Sequence, residues 1–99
     1  MTRVLRQGRA VFTNLLGIKA LSNKIGVFRA AVVVSTKVHK RAVQRNLIKR
    51  RIRSVLEGYA QSITTPVDLV ILAQTEAVGR KQADLGAAIE YCLKKLGLL

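Results

Sequence analysis

The sequence predicts an α+β fold, a two-layer sandwich in which two helices pack on a small mixed sheet. Three strand-like and two helix-like segments follow one another in the order β, β, α, β, α. The chain has 99 residues, which suits a single domain over positions 1–99 with a modest hydrophobic core. Its apolar share of 49% is too high for a disordered tail.

The first two strands are predicted on either side of a short loop. Residues 11–21 form a largely apolar run, and residues 27–35 are rich in Val and Ala. Asn23 and Gly26 lie between them and indicate a turn. Because the loop is short, we expect the two strands to form an antiparallel pair.

The third strand follows the chain's one proline, Pro66. Residues 67–73 are so continuously apolar that they predict a strand buried on both faces. At the other end of the chain, residues 3–7 predict the last turns of a short helix, which Gly8 would close as a C-cap.

Two further segments predict helices. Residues 40–58 contain many helix formers and end at Gly58. Residues 80–96 repeat apolar side chains at the spacing of an amphipathic helix. The expected core residues of that helix are Leu85, Ile89, Cys92, Leu93 and Leu96.

The single cysteine and the single histidine limit the possible chemistry. Cys92 excludes an intrachain disulfide and a Cys-based metal site, and it is interpreted as a small core residue in a protein of the reducing cytosol. His39 has no nucleophile and carboxylate near it in sequence, so we interpret it as a surface histidine in a basic loop. We expect no catalytic residue and no metal ligand in this chain.

The charge distribution indicates a polyanionic partner. The net charge is +13, and the pI is about 11.3. Residues 1–56 hold fourteen Lys and Arg and no acid, whereas residues 57–99 hold four Lys and Arg against five acids. Such an asymmetry predicts one cationic face, suited to a nucleic acid or an anionic membrane.

No segment predicts membrane insertion or secretion. The uncharged stretches are far shorter than the roughly 20 residues that a bilayer requires. The Arg-rich start has no apolar core ahead of a cleavage signal, so it is not a secretory peptide. It also resembles a mitochondrial transit peptide, but strand-like sequence follows it at once.

The most informative segment is the basic helix with the residues just before it. Residues 37–53 contain eight Lys and Arg and no acid. An i, i+4 ridge holds Arg41, Arg45, Lys49 and Arg53, with Asn46 and Arg50 beside it. The opposite arc, which we expect to face the sheet, holds Val43, Leu47, Ile48, Ile52 and Val55. Like charges stacked this way destabilise an isolated helix, unless phosphates neutralise them.

Other interpretations of the basic helix remain open on physical grounds. A charged face without a partner is one of them. A membrane-surface helix is less consistent with an apolar side that is β-branched and needed to cover a sheet. Duplex DNA fits the arginines as well as RNA does, because guanidinium groups bind the phosphates of either polymer.

A family resemblance favours RNA. The run RNLIKRRIR (45–53) resembles the signature helix of bacterial ribonuclease P protein subunits, whose pattern is Arg-Asn-Arg-x-Lys-Arg followed by Leu-Ile-Arg. The upstream VVVSTKVHKRAVQ (32–44), the downstream VDLVILA (67–73) and the final KKLGLL are similar to the flanking segments of that family. The resemblance covers residues 3–99. The signature helix with its flanking segments in the right order is a specific signal, whereas similarity of the final helix alone would be weak evidence.

The resemblance implies an α/β sandwich with a left-handed βαβ crossover, as in ribosomal-protein domains. The protein would assist a catalytic RNA that removes the 5′ leader from precursor tRNA with Mg²⁺ held by the RNA and substrate. An open cleft, lined by the sheet and the first helix, would hold the leader. Expected partners are therefore ribonuclease P RNA and the precursor tRNA leader, in the cytoplasm, with no membrane or small-molecule partner.

The resemblance also implies which residues bind. The expected contacts to ribonuclease P RNA are Lys37, Lys40, Arg41, Arg45, Asn46, Lys49, Arg50, Arg51 and Arg53. The candidates for the leader cleft are Leu5, Phe12, Lys19 and Arg29. The alternative function is a ribosomal or other structural RNA-binding protein without a catalytic partner, and a DNA-binding regulator is a third.

The sequence departs from the family pattern at several positions. Leu47 stands where the signature has its second Arg, and Arg51 stands where it has Leu, which we interpret as an exchange of the charge and the core contact. Only the end of the family's first helix is matched. The two aromatic residues on which the family stacks the leader would fall near Met1 and Leu5. Either leader stacking is weakened in this protein or the true start of the protein lies upstream. The other departures are Ala31 in place of a glycine and Gln74 in place of a basic residue.

Overall fold

The computed structural model of the protein describes residues 9–99. The predicted helix over residues 3–7 lies outside the described residues, as do its Gly8 cap and the cleft candidate Leu5. The elements are β1 (Arg9–Phe12), β2 (Leu16–Ser22), β3 (Arg29–Val33), α1 (Ala42–Tyr59), β4 (Val67–Ala73), a 3₁₀ turn (Thr75–Ala77) and α2 (Gln82–Lys95). The α+β sandwich predicted from the sequence is confirmed.

The four strands form one mixed sheet in the order β1-β2-β4-β3. β2 is antiparallel to both β1 and β4, whereas β3 runs parallel to β4. The predicted antiparallel pairing of the two strands around the 23–26 loop is therefore wrong. The strongly apolar β4 is buried most favourably at the centre of the sheet, and it separates β2 from β3.

The apolar run at 11–21 contains two strands instead of the one predicted. Thr13 makes the turn between β1 and β2 by accepting hydrogen bonds from the backbone N–H groups of Leu15 and Leu16, both at 3.2 Å. Its hydroxyl also donates to the Leu16 carbonyl oxygen at 3.0 Å. The Thr13 hydroxyl thus makes the hydrogen bonds of this turn, which also contains Asn14, a residue type that favours turns.

Both helices pack on the same face of the sheet, and the hydrophobic core lies between the two layers. All five core residues predicted for α2 are buried. In α1, Ile48 and Ile52 are buried as predicted, while Leu47 and Val55 are half-buried. Val43 is 76% exposed, which corrects its predicted core position, and Leu56 is buried instead.

The central strand and the crossover match most of their predictions. Val67, Leu69, Val70 and Ile71 are buried, so β4 is shielded on both faces along most of its length. The parallel neighbours β3 and β4 are connected through α1. The left-handed sense of that crossover stays a prediction from the resemblance. Over residues 9–99, neither helix combines the length and apolar content that crossing a bilayer requires.

Candidate nucleic-acid interface

The solvent side of α1 carries a concave basic surface, formed by Asn46, Lys49, Arg50 and Arg53. These four residues recur at i+3 and i+4 steps, so they follow one another along a single helix face. All four are among the residues predicted to bind RNA. Glu57, one turn after Arg53, borders the same concavity together with Ser54, and neither was predicted.

The cations of the basic surface form no ion pair within the described chain, although Glu57 borders the same concavity. Two ion pairs form among residues 9–99, Arg29 with Asp68 and Lys94 with Glu90, and neither involves α1. The first turn of α1 contains no acidic residue that would offset its positive N-terminal dipole. The repulsion between these like charges therefore remains until an external anion neutralises it.

The N-terminal end of the predicted ridge has a structural role. One Arg45 guanidinium nitrogen donates to the carbonyl oxygens of His39 at 3.0 Å and Lys40 at 2.7 Å. The Arg41 backbone N–H donates to Nδ1 of the half-buried His39 at 3.0 Å. Arg41 is the extended N-cap residue before Ala42, so within the helix the predicted ridge begins at Arg45.

The loop before α1 presents two further predicted cations. Val38 is buried and anchors the loop in the core, and its backbone N–H donates to the Ser35 carbonyl oxygen at 3.0 Å. Lys37 and Lys40, on either side of it, are exposed. Their positions allow contact with a ligand that extends past the N-terminal end of α1.

The leader-cleft candidates within the described chain share the other face of the sheet, which we call the outer face. Phe12 lies opposite Gly17 in the β1–β2 register, and Lys19 lies two residues further along β2. Lys19 in turn lies opposite Val70 of β4, next to which β3 brings Ala31. Since paired residues point to the same side of a sheet, Phe12, Lys19 and Arg29 all project away from α1 and α2.

Arg29 is already bound to a carboxylate. Its Nε and Nη2 donate to the two oxygens of Asp68, each at 2.8 Å. Asn23 donates a further hydrogen bond to the same carboxylate at 2.9 Å. The hydrogen bonds from Arg29 keep the pKa of Asp68 below its usual value, although partial desolvation opposes them. A phosphate contact by Arg29 would therefore compete with a bidentate pair.

The described residues contain neither a cluster of metal-ligating side chains nor an exposed thiol. Within residues 9–99, no three His, Cys, Asp or Glu side chains converge as metal ligands. Burial raises the pKa of the Cys92 thiol, which makes it a poor nucleophile. What the geometry offers is an electrostatic surface on α1 and, separately, the leader-cleft candidates on the outer face of the sheet.

Comparison with known proteins assigns this arrangement to a family. A family model for ribonuclease P matches residues 2–97. The chain belongs to the ribonuclease P protein family. It is 36% identical over 93 residues to the ribonuclease P protein component of Xylella fastidiosa, covering 94% of this chain and 67% of that protein. It is 32% identical over 97 residues to that of Clostridium kluyveri, covering 96% and 86%.

Solved structures of ribonuclease P proteins share the fold. The Staphylococcus aureus protein superposes with a TM-score of 0.89 at 28% identity, covering 98% of this chain and 88% of that one. The Thermotoga maritima protein superposes with a TM-score of 0.85 at 17% identity, covering 95% and 88%, which supports the fold alone. The matches support a ribonuclease P protein component and not the alternative of a structural RNA-binding protein without a catalytic partner.

The two departures within the ribonuclease P signature helix lie on one flank of α1. Arg51 is half-buried, and its Nη1 donates to the Arg80 carbonyl oxygen at 2.7 Å. Leu47, one turn earlier, is also half-buried. A buried Arg51 without an acceptor would have contradicted the proposed exchange of charge and core contact, and the structure shows an acceptor instead.

The remaining departures from the ribonuclease P pattern lie around the sheet. Ala31 is half-buried on the outer face beside Val70. Gln74 follows β4, and its backbone N–H donates to the Leu15 carbonyl oxygen at 2.9 Å. The positions near Met1 and Leu5, where the family has its aromatics, lie outside the described residues.

Proposed function

We propose that this chain binds ribonuclease P RNA through α1 and assists that RNA in removing the 5′ leader from precursor tRNA. The observation that carries the proposal is the basic surface of α1, whose cations line one concavity together and form no ion pair within the described chain. The apolar side of the same helix fixes it on the sheet through Ile48, Ile52 and Leu56.

The contribution of the protein is electrostatic positioning. Ribonuclease P RNA and precursor tRNA are both polyanions, so they repel each other as they approach. Lys49, Arg50 and Arg53 neutralise phosphates where the two come together, and guanidinium groups do so with two parallel hydrogen bonds. The proposed RNA contacts extend from this surface to the exposed Lys37 and Lys40.

The single-stranded leader would lie across the outer face. Lys19 on β2 provides a cation there, whereas the charge of Arg29 is already paired with Asp68. This division keeps the folded RNA on the helix layer and the leader on the sheet layer. Of the candidates for the cleft, Lys19 is therefore the proposed phosphate contact.

The chemistry would reside in the RNA. In this proposal Mg²⁺ is held by RNA and substrate, where it would supply an activated water for hydrolysis. The protein would work in the cytoplasm, where precursor tRNA is made in bacteria.

Reconstitution tests the proposal. At low Mg²⁺, the chain should accelerate cleavage of precursor tRNA by ribonuclease P RNA, and a Lys49→Ala, Arg50→Ala, Arg53→Ala variant should lose most of the stimulation. The matched control is Lys94→Ala with Lys95→Ala, which removes exposed charge from α2 instead. The absence of stimulation by the wild-type chain would contradict the proposal, and so would equal stimulation by both variants.

A further inference from the structure

The cations of residues 57–99 form two pairs that differ in their surroundings. One pair precedes α2 and the other lies in its last turn: Arg80 with Lys81, and Lys94 with Lys95. Lys94 forms an ion pair with Glu90 at 3.3 Å, and the Lys95 ammonium lies 5.7 Å from the centroid of the Tyr91 ring. Arg80 and Lys81 are exposed, and neither forms an ion pair within residues 9–99. Their charges are therefore available to an external anion.

The Arg80 side chain is fixed at its base. Its backbone N–H donates to the Ala77 carbonyl oxygen at 3.2 Å, and its own carbonyl oxygen accepts from Nη1 of Arg51 at 2.7 Å. Its Nε donates to the Glu76 carbonyl oxygen at 3.2 Å. These contacts leave both Nη groups of Arg80 without a hydrogen-bond partner in the described chain. A guanidinium held in this way loses little conformational freedom when it binds an anion.

The start of α2 is continuous with the basic surface of α1. Gln82 donates from Nε2 to the Ser54 hydroxyl at 3.2 Å, and Ser54 lines the concavity that the basic surface forms. Gly86 also approaches α1 closely, because a Cβ atom at this position would lie 3.6 Å from Cγ2 of Val55. An anion that fills the concavity therefore has the segment before α2 at its border.

We propose that Arg80 and Lys81 bind backbone phosphates of the ribonuclease P RNA that lies on α1. The inference rests on the proposed function and deepens it, because it extends the basic surface across to the start of α2. Arg80 would offer the paired N–H donors that match a phosphate, and Lys81 would add a point charge. Continuity with α1 is the reason for assigning these phosphates to the same RNA.

The acidic side chains nearby do not cancel the two cations. The Glu76 carboxylate accepts a hydrogen bond from Nδ2 of Asn14 at 2.9 Å. Asp84 lies in the first turn of α2, where it offsets the positive end of the helix dipole. Among the residues described, neither acid forms an ion pair with Arg80 or Lys81. The attraction for a phosphate therefore comes from the two side chains and not from the helix end.

The salt dependence of binding tests the proposal. A variant that carries both Arg80→Ala and Lys81→Ala should bind ribonuclease P RNA with a salt slope smaller in magnitude by about two, since two phosphate contacts are lost. Its affinity deficit relative to wild type should shrink roughly tenfold between about 50 and 200 mM salt. The matched control carries Lys94→Ala and Lys95→Ala, which remove two charges from the other end of α2, and it should keep the wild-type slope.

Lysine acetylation gives a second readout in the unaltered chain. An N-hydroxysuccinimide ester should modify Lys81 more slowly when ribonuclease P RNA is bound, whereas the rate at Lys95 should not change. Mass spectrometry of the digested protein measures both rates. This readout does not depend on how a substitution affects folding.

Thermal unfolding shows whether each variant is folded. Arg80→Ala removes the Nε contact to Glu76, so Lys81→Ala alone decides if the double variant is unfolded, with an expected loss of about one unit of slope. The Lys81 side chain makes no hydrogen bond within residues 9–99, which leaves its substitution without a structural cost. Arg80→Lys preserves the charge and should retain most of the slope.

Equal salt slopes in the two double variants would overturn the proposal, and so would an unchanged rate of Lys81 acetylation on RNA binding. A loss of slope with precursor tRNA alone, but not with ribonuclease P RNA, would assign the contact to the substrate and overturn it as well. If Arg50→Ala lowers the slope and the Arg80, Lys81 double variant does not, only this extension of the surface fails. If the wild-type chain does not bind ribonuclease P RNA, the proposed function fails.

Discussion

The Arg29 guanidinium binds both carboxylate oxygens of Asp68, with Nε and Nη2 each donating at 2.8 Å. Asn23, in the loop after β2, donates a third hydrogen bond to the same carboxylate at 2.9 Å. The pair joins the first residue of β3 to the second residue of β4, and Asn23 adds the loop after β2. It therefore fastens three parts of the sheet at one end, close to the outer face.

This network predicts a pH-dependent contribution to stability. The folded-state pKa of Asp68 lies below its ordinary value of about 3.9. The carboxylate therefore stabilises the fold above that ordinary pKa, and the contribution disappears as the pH falls through the lowered one. Thermal midpoints of wild type and Asp68→Asn, measured from pH 2 to pH 7, should differ by a constant amount above about pH 5 and converge in acid.

Glu90→Gln provides the control for this measurement. Glu90 pairs with Lys94 at 3.3 Å in an exposed i, i+4 contact, and such pairs contribute little. Its substitution should change the midpoint only slightly at any pH. An Asp68→Asn deficit that persists unchanged at pH 2 would show that the carboxylate charge is not what stabilises the sheet.

The basic surface predicts how RNA binding responds to salt. If the chain contacts about six phosphates, the logarithm of the affinity for ribonuclease P RNA should fall with the logarithm of salt at a slope of roughly −4 to −5. Arg50→Ala should reduce the magnitude of that slope by about one, because one phosphate contact is lost. Lys94→Ala should leave the slope unchanged, and an affinity that does not depend on salt would contradict electrostatic binding altogether.

Arg51 should behave differently from Arg50, although the two are neighbours in sequence. Its Nη1 is engaged with the Arg80 carbonyl oxygen, which ties α1 to the segment before α2. Arg51→Ala should therefore lower the free energy of unfolding by about 1 kcal/mol and change the salt slope less than Arg50→Ala does. Urea titrations together with RNA binding at several salt concentrations separate the two roles, and a full unit of lost slope in Arg51→Ala would make it a phosphate contact.

The helices and the central strand could be predicted because their signals are local. The apolar spacing of α2 and the continuous apolar run of β4 determine which side chains become buried. The turn between β1 and β2 was missed although it contains Asn14, a residue type that favours turns, because the surrounding residues read as one apolar strand. The hydrogen bonds that form the turn come from the Thr13 hydroxyl. The strand order could not be predicted from the sequence either. β2 and β3 are close along the chain, which suggested that they pair with each other, but both pair with the more apolar β4.

The residues of the candidate site could be predicted from the sequence, but the contacts that their side chains make could be predicted less well. Charge clustering identified the residues of the basic surface, and the resemblance supplied the RNA. The role of Arg45 depends on two carbonyl groups in the preceding loop, which helical periodicity does not place. Gly17 had a visible signal, a glycine within a strand, but its meaning depends on the Phe12 ring from the neighbouring strand.

Ile52 and Val43 should respond very differently to the same kind of truncation. Ile52 is fully buried between α1 and the sheet, whereas Val43 is 76% exposed in the first turn of α1. Ile52→Ala should lower the free energy of unfolding by about 2–5 kcal/mol because it leaves a cavity. Val43→Ala should change it by less than about 0.5 kcal/mol. Urea unfolding measures both free energies. A large loss of stability in Val43→Ala would show that Val43 packs in the core after all.

Cys92 should be chemically silent in the folded protein. It is fully buried among α2 core residues, its Sγ donates a weak hydrogen bond to the Val11 carbonyl oxygen at 3.7 Å, and burial raises the pKa of its thiol. Because the thiolate is the reactive form, a disulfide reagent at pH 8 should label Cys92 slowly, at a rate that rises with urea in parallel with unfolding. Labelling as fast as that of a free thiol in native buffer would mean that α2 opens away from β1 without global unfolding, and the two-layer core would then be far less cooperative than its packing implies.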